Sequence, residues 1–308
     1  MEGQPVSREE LSAEEIERVV RAGAQIGVER VKLTGGEPTL RSDLVEIVSR
    51  LRPLVKEVSM TTNGLKLDAL APALRAAGLA RVNVSLPSID PATYERLTGV
   101  DGASRAVAGI RAAVRAGLIP VKINVVALDG TSAEAAAVGD LVRFAQEVDA
   151  WVQVIEFENV RGRVDPRVYQ LLHSDLARLT HEAAERAFKV DHNRLHDRPR
   201  YTYEREGKPV TVEVVQPVEN PAFCMACHRL RLTAQGQLKG CLMTNEGLVD
   251  LKPLLRGGSD APLVEAFRQA VARRRPYFVG PMTPTPAPLP ESEDETFLPM
   301  ISGPMPNH

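Results

Sequence analysis

Cys224, Cys227 and Cys241 are the only cysteines in the 308-residue chain, and all three lie in one eighteen-residue window. Cys224-Met225-Ala226-Cys227 is a C-x-x-C pair, which puts two thiolates on one turn. The Gln235-Gly236 turn then folds the segment back as a hairpin and brings Cys241 beside them. Ordinary core thiols would be scattered along the chain, so the pattern points to a metal site. Zinc would take the three thiolates together with His228. The string Cys-Met-Ala-Cys-His also matches a c-type haem attachment site, which would require an exported protein. An iron–sulfur cluster usually takes four cysteines, so three would leave one iron open to a ligand, a reactive arrangement rather than an electron store.

The residues after Cys227 add a second chemistry. On an extended strand Arg229, Arg231 and Thr233 share one face, while Leu230 and Leu232 share the other. Two guanidinium groups beside metal ligands suit a phosphate-bearing substrate, whereas away from the cysteines they would read as solvated surface arginines. The anion site has to be local, because the net charge of the chain is only −2 and gives no global pull toward nucleic acid or an acidic membrane surface. No apolar run approaches the ~20 residues that span a bilayer. Met1-Glu2-Gly3-Gln4-Pro5 carries no signal-peptide pattern, and three cysteines make no disulfide framework, so the expected location is cytoplasmic. With 44% hydrophobic residues the chain can bury a substantial core.

The elements that must position these residues alternate from Ser12 to about Phe157. Ser12 and Glu15 form a capping box that opens a first helix. Short apolar runs at Val31–Thr34, Val58–Thr62, Arg81–Leu86, Val121–Val126 and Trp151–Phe157 are separated by helical patterns at Ser42–Leu51, Leu67–Ala77, Ala103–Ala116 and Ser132–Glu147. This alternation predicts a parallel α/β sheet or barrel. Each run has an apolar face, such as Val82, Val84 and Leu86 or Val121, Ile123 and Val125. The other face is polar: Lys32 and Thr34; Ser59, Thr61 and Asn63; Asn83 and Ser85; Lys122 and Asn124; Glu156 and Glu158. A filled barrel packs apolar side chains inside. These polar faces instead predict an open barrel with a wetted, ligand-holding lumen, its apolar faces covered by helices. Residues 161–196 read as a linker and a charged helix, and Arg200–Tyr203 with Val210–Val215 read as the arms of a hairpin. The expected organisation is a partial barrel over 1–160, a C-terminal segment over 161–279 that holds the metal and the anion, and a Pro-rich flexible tail over 280–308.

At Lys32-Leu33-Thr34-Gly35-Gly36-Glu37-Pro38, Thr61-Thr62-Asn63-Gly64, Arg81–Leu86, Val121–Asn124 and Phe223–Met243 the chain resembles the MoaA-type GTP 3′,8-cyclases, radical S-adenosylmethionine (SAM) enzymes that open molybdenum cofactor biosynthesis. The resemblance runs over roughly residues 12–279. Gly-Gly-Glu-Pro alone would say only radical SAM; the cysteine–arginine segment is specific to the cyclases. The resemblance implies an incomplete TIM-type (β/α) barrel whose opening is closed by an α+β C-terminal segment. Gly36 and Ser85 match SAM contacts. Lys32, Thr61, Lys122, Arg229, Leu230 and Arg231 match GTP contacts. Cys224, Cys227 and Cys241 match the ligands of a substrate-side 4Fe-4S cluster whose open iron faces guanine. It further implies conversion of GTP to (8S)-3′,8-cyclo-7,8-dihydroguanosine 5′-triphosphate, an electron donor such as flavodoxin or ferredoxin, a downstream cyclic pyranopterin monophosphate synthase, and a homodimer.

The sequence departs from that pattern. The cyclases carry an N-terminal C-x-x-x-C-x-x-C loop for the SAM-cleaving 4Fe-4S cluster, and this chain has no cysteine before Cys224. Its start resembles the stretch beyond that loop, so the first barrel strand is expected to be missing too, and an in-frame upstream extension is expected to encode the absent cysteines. Without them the chain is expected to bind GTP and the second cluster but not to cleave SAM. The alternative is an inactive nucleotide-binding homologue with one structural cluster or zinc. Pro87 stands in place of an acidic residue, His228 in place of Asn or Thr, and Glu158 near a Met that contacts SAM. Met300-Ile301-Ser302-Gly303 is the nearest match to a terminal Gly-Gly.

Overall fold

The computed structural model describes residues 10–127, 132–157, 166–193, 198–218 and 220–277. In chain order the elements are α1 (Ala13–Ala24), β1 (Arg30–Leu33), α2 (Leu44–Leu51), β2 (Glu57–Thr62), α3 (Leu67–Ala76), β3 (Arg81–Ser85), α4 (Pro91–Thr98), α5 (Ala103–Arg115), β4 (Lys122–Val126), α6 (Ser132–Val148) and β5 (Trp151–Ile155). There follow α7 (Pro166–Arg186), β6 (Lys189–Asn193), β7 (Arg198–Arg205), β8 (Lys208–Val215), α8 (Pro221–Met225), β9 (Arg231–Leu232), β10 (Gln237–Lys239), β11 (Val249–Asp250), α9 (Lys252–Leu255) and α10 (Ala261–Arg273). The boundaries lie where the residue chemistry puts them. Ser12 caps α1 with Glu15 in a reciprocal capping box. α3 and α5 are each followed by a positive-φ glycine, Gly78 and Gly117.

One sheet runs in the order β1-β2-β3-β4-β5-β8-β7-β6. β1 to β5 are mutually parallel and β8 joins β5 in parallel, so an open parallel array of six strands forms a partial barrel. β7 and β6 extend it antiparallel. The sheet therefore continues past residue 160: β8 lies in the C-terminal segment and supplies its sixth parallel strand. The expected hairpin arms are β7 and β8. β6 falls where only helix and linker were expected, on an exposed polar edge of the sheet.

The strands sort their faces as expected. Val58, Met60, Val82, Val84, Ile123, Val125, Val152, Val154, Val212 and Val214 are buried in one core with helix residues such as Leu51, Leu74, Ile110 and Leu141. Packing is closest where α5 crosses the end of β2, because a Cβ on Gly109 would collide with the Gly64 carbonyl. A second core ties the C-terminal segment to α1: Leu11, Val19 and Ala22 pack with Leu238, Val249, Leu251, Leu255, Leu263 and Phe267. Asp260 seals this seam by accepting from Arg18 Nε at 3.1 Å and Arg21 Nε at 3.0 Å. The three-stranded sheet β11-β10-β9 is thereby tied to α1. Among the described residues, no helix is long and apolar enough to cross a membrane.

Candidate functional site

The polar strand faces meet inside the barrel in register. Thr61 pairs with Asn83, Asn83 with Lys122, and Lys122 with Trp151. One layer up, Ser85 pairs with Asn124, Asn124 with Gln153, and Gln153 with Glu213. At the edge, Lys32 pairs with Ser59 and Ser59 with Arg81. Lys32, Thr61, Ser85 and Lys122 thus share one concave surface.

On β5 the expectation is corrected. Its lumen residue is Gln153 and not Glu156, because the strand ends at Ile155 and its apolar residues, Trp151 and Ile155, fall on the polar side. Glu156 is buried and instead accepts from the Val218 backbone N–H at 2.9 Å. Glu158 and Met300–Gly303 lie outside the described residues, as does the 280–308 tail.

At the centre of the lumen is Glu213, fully buried. It accepts from Lys122 Nζ at 2.6 Å, Arg200 Nε at 2.8 Å and Gln153 Nε2 at 2.8 Å, and pairs with Arg198 at 3.1 Å. Burial pushes its pKa up, but the charges of Lys122 and Arg198 and the hydrogen bonds from Lys122 and Arg200 outweigh that and hold it at about 2. Burial lowers Lys122 to about 8 against the pull of Glu213. Lys122 and Arg200 also lie 5.0 and 5.2 Å from the Trp151 ring centroid. None of Gln153, Trp151, Arg198, Arg200 and Glu213 was singled out from the sequence. The available signal was Glu213 itself, a lone carboxylate among the valines of an expected hairpin arm.

Other cations in the site are not paired in this way. The side chains of Lys32, Arg229 and Arg231 make no hydrogen bond or ion pair among the described residues. Desolvation by the surrounding protein, then repulsion from Arg81 and Arg229, brings Lys32 down to about 7. Its side chain is nonetheless open to water in the lumen, and that hydration tempers the fall. Arg229 is lowered to about 10 by burial and by Arg198 and Arg231.

The cysteines face the same place. Asn220 caps the short α8 by accepting from the Phe223 N–H, and Cys224 sits in that helix with Cys227 just after it. β9 and β10 pair antiparallel, Arg231 with Lys239, and return Cys241 to the pair. The Gly236 turn is closed by its N–H donating to Thr233 O at 3.0 Å. Cys224, Cys227, Cys241, Arg229, Arg231 and Arg198 line one cavity of about 160 Å³. Leu230 packs on the second core, so a ligand contact from it falls to its backbone. His228 is exposed and is not part of the cavity wall, which removes the fourth ligand of the zinc reading.

Among the described residues, no three His, Cys, Asp or Glu side chains converge on a single-ion position. One zinc with Zn–S bonds of about 2.3 Å would need its sulfurs within about 3.8 Å of each other. Three thiols lining one cavity are a donor set that a cluster, with each thiolate on its own iron, would also accept.

The Gly-Gly-Glu-Pro turn follows β1. Glu37 anchors it to the end of β2: Oε1 accepts from Thr39 N at 3.0 Å, Thr39 Oγ1 at 2.6 Å and Thr62 Oγ1 at 2.7 Å, and Oε2 from Asn63 N at 2.7 Å. A Cβ on Gly36 would meet nothing within 4 Å, so its backbone edge is open to a ligand.

Comparison with known proteins accords with this geometry. The family description "Radical SAM superfamily" matches residues 3–141 and "Molybdenum Cofactor Synthesis C" matches residues 150–279. A "probable GTP 3′,8-cyclase" of Thermoplasma volcanium is 43% identical over 90% of this chain and 84% of its own. One from Pyrococcus abyssi is 44% identical over 90% of each. Among solved structures, Streptococcus suis SuiB bound to S-adenosylmethionine superposes with a TM-score of 0.62 at 20% identity, over 86% of this chain and 62% of SuiB. The anSMEcpe structure with bound AdoMet gives a TM-score of 0.56 at 14% identity, over 88% of this chain and 76% of that one. These two show the fold alone. With relatives this similar along nearly their whole length, the chain belongs to the GTP 3′,8-cyclase family of radical SAM enzymes.

Proposed function

We propose that the chain acts on GTP in the first step of molybdenum cofactor synthesis, and that residues 10–277 form its GTP-binding and second-cluster half. The observation that carries this is a set of cations whose side chains have no hydrogen-bond or ion-pair partner among the described residues: Arg229 and Arg231 line one cavity with the three thiols, and Lys32 is repelled by Arg229 nearby, so the group is short of negative charge. A triphosphate supplies that charge. The cations are held by strands and a hairpin before it arrives, so little reorganisation opposes binding. Lys122, Arg198 and Arg200 form the inner wall on Glu213, and Thr61 and Ser85 supply hydroxyls from neighbouring strands.

Cys224, Cys227 and Cys241 would hold a 4Fe-4S cluster, whose open iron would supply a Lewis-acid contact to the purine. Gly36 and Ser85 would receive SAM. The SAM-cleaving cluster does not fit the residues of this sequence, which has no further cysteine.

The test is anaerobic reconstitution followed by iron and sulfide analysis, with GTP titrated against the emission of Trp151, the only tryptophan. Four irons per chain and saturable quenching by GTP are expected. Substituting Arg229→Met with Arg231→Met should weaken GTP about 10- to 100-fold, the loss of two charge-assisted contacts, and flatten the salt dependence. One zinc per chain would support the structural-staple reading of the cysteines. An unchanged GTP affinity in the double variant would overturn the site.

A further inference from the structure

We infer that Glu213 is the positioning residue of the lumen: it gathers Lys122, Arg198 and Arg200 into one anion-binding wall and, through Gln153, sets which way the Asn83 amide faces. The inference deepens the GTP reading, on which its ligand-binding part rests.

The lumen holds an electrostatic oddity. A carboxylate in the middle of a polyanion site opposes the ligand, so its presence needs a reason other than direct binding. Glu213 is fully buried, on the strand that completes the parallel array, and four side chains from three strands end on its two oxygens. Three of the four are long cations that, unpaired, would splay apart by mutual repulsion and swing out to water. One buried charge converts them into a fixed set with a surplus of two positive charges.

The fourth contact carries orientation further. An ionised carboxylate can only accept, so Gln153 has to present its Nε2 to Glu213. Its Oε1 is then an acceptor, and Asn83 donates Nδ2 to it at 2.9 Å and to Asn124 Oδ1 at 3.1 Å. Each amide in the row is thereby fixed in turn, without the ambiguity an isolated amide would have. The row ends in a deficit: Asn83 Oδ1 is buried and has no donor. An unpaired buried acceptor costs free energy, and it is met by a ligand that brings a donor such as a hydroxyl or an N–H. The row thus offers cations to one part of a ligand and a neutral acceptor to another.

The test reads Lys122 directly, with no ligand present. The charged groups facing Lys122 are Glu213 on β8, Arg198 and Arg200 on β7, and Lys32 across the sheet on β1. Glu213 is the only one of them that favours its protonated form. Lys122 Nζ lies over Trp151, so its titration is followed as the change in Trp151 emission with pH. In the native chain a transition near pH 8 is expected, and Lys122→Met should abolish it. Glu213→Gln should move the midpoint down by at least one pH unit. Glu213→Asp keeps the charge but is one methylene short, so it should release at least one cation and give an intermediate shift. It also serves if Glu213→Gln does not fold.

An unmoved midpoint in either folded variant would overturn the inference, as would a transition that survives Lys122→Met. GTP titrations of the same proteins separate the two readings. If the midpoint moves and no form binds GTP, the substrate assignment fails while the positioning role stands. If native protein binds GTP and Glu213→Gln weakens it equally at pH 6 and pH 9, Glu213 is a structural residue only.

Discussion

Replacing Phe267 by alanine should detach the cysteine hairpin while leaving the barrel folded. Phe267 is 5% exposed and belongs to the core that joins α10 and β10 to α1. Its ring rests on Gly23, where a Cβ would come within 3.1 Å of Phe267 Cζ. Truncating a buried phenylalanine costs about 3–5 kcal/mol, the transfer free energy plus the unfilled cavity. The cost falls on a core that shares few members with the barrel core, so it should appear as local opening rather than global unfolding. At 1.4 kcal/mol per factor of ten, the opening equilibrium of the hairpin rises about 140- to 3,700-fold. Hydrogen exchange with peptide-level mass spectrometry measures this. Amides of 229–239 should exchange faster by that factor, and amides of 81–85 and 122–126 should be unchanged. GTP affinity should fall with them, because Arg229 and Arg231 ride on the hairpin. Equal acceleration in barrel and hairpin would show one cooperative unit and refute the separation of cores. No acceleration would refute the role of Phe267 in docking.

The titration of Lys122 predicts opposite pH trends for stability and for GTP affinity. Lys122 is lower in the folded chain, about 8, than its ordinary 10.5, so the unfolded chain holds the proton more tightly. Stability should therefore rise between pH 8 and 10.5, while GTP affinity falls about tenfold between pH 7 and 9 from this residue alone. Chemical denaturation and GTP titration across that range check the pair, and parallel trends would contradict it. Glu213, held at about 2 against 4.5 when free, contributes stability that is fully present above 4.5 and lost as pH falls toward 2, so acid unfolding should begin in that window. Glu37→Gln leaves one of four donors at the Gly-Gly-Glu-Pro turn without an acceptor and should cost about 1–3 kcal/mol in urea denaturation. An unchanged midpoint would mean that the turn is held by other contacts.

The first five strands and their helices were legible because each strand carries its pattern locally. Alternating valines mark the helix-covered face, and Lys32, Ser59, Asn83 and Lys122 mark the other. The cysteine–arginine hairpin was legible for the same reason: Arg229 and Arg231 face the cavity, and Leu230 and Leu232 face the core. Pairing across long separations was not. Val152 pairs with Val212, and alternation says which face a residue takes but not which strand lies beside it. The hairpin arms could be read, therefore, but not their addition to the sheet. Glu213 stayed invisible as a hub for that reason, since its importance comes from β4, β5 and β7 arriving around it. β6 was missed because an exposed edge strand with polar residues on both faces has no period to find. α4 was missed because it is short and buries only Tyr94.

Cations in this site fall into two groups, and the division follows the two cores. Lys122, Arg198 and Arg200 belong to the sheet and are paired with Glu213, which makes their burial tolerable in a barrel that must fold before any ligand is present. Arg229 and Arg231 belong to the hairpin, and their side chains have no hydrogen-bond or ion-pair partner among the described residues. Burial first, and then repulsion from Arg198, lower the pKa of Arg229, and that repulsion works against docking of the hairpin. The apolar seam at Phe267 and the Asp260 contacts to Arg18 and Arg21 supply the opposing free energy. A bound polyanion would remove the repulsion and add its own attraction to both halves. Ligand binding and closure of the C-terminal segment are therefore coupled by charge, and tight binding depends on the apolar seam to hold like charges together until the ligand arrives.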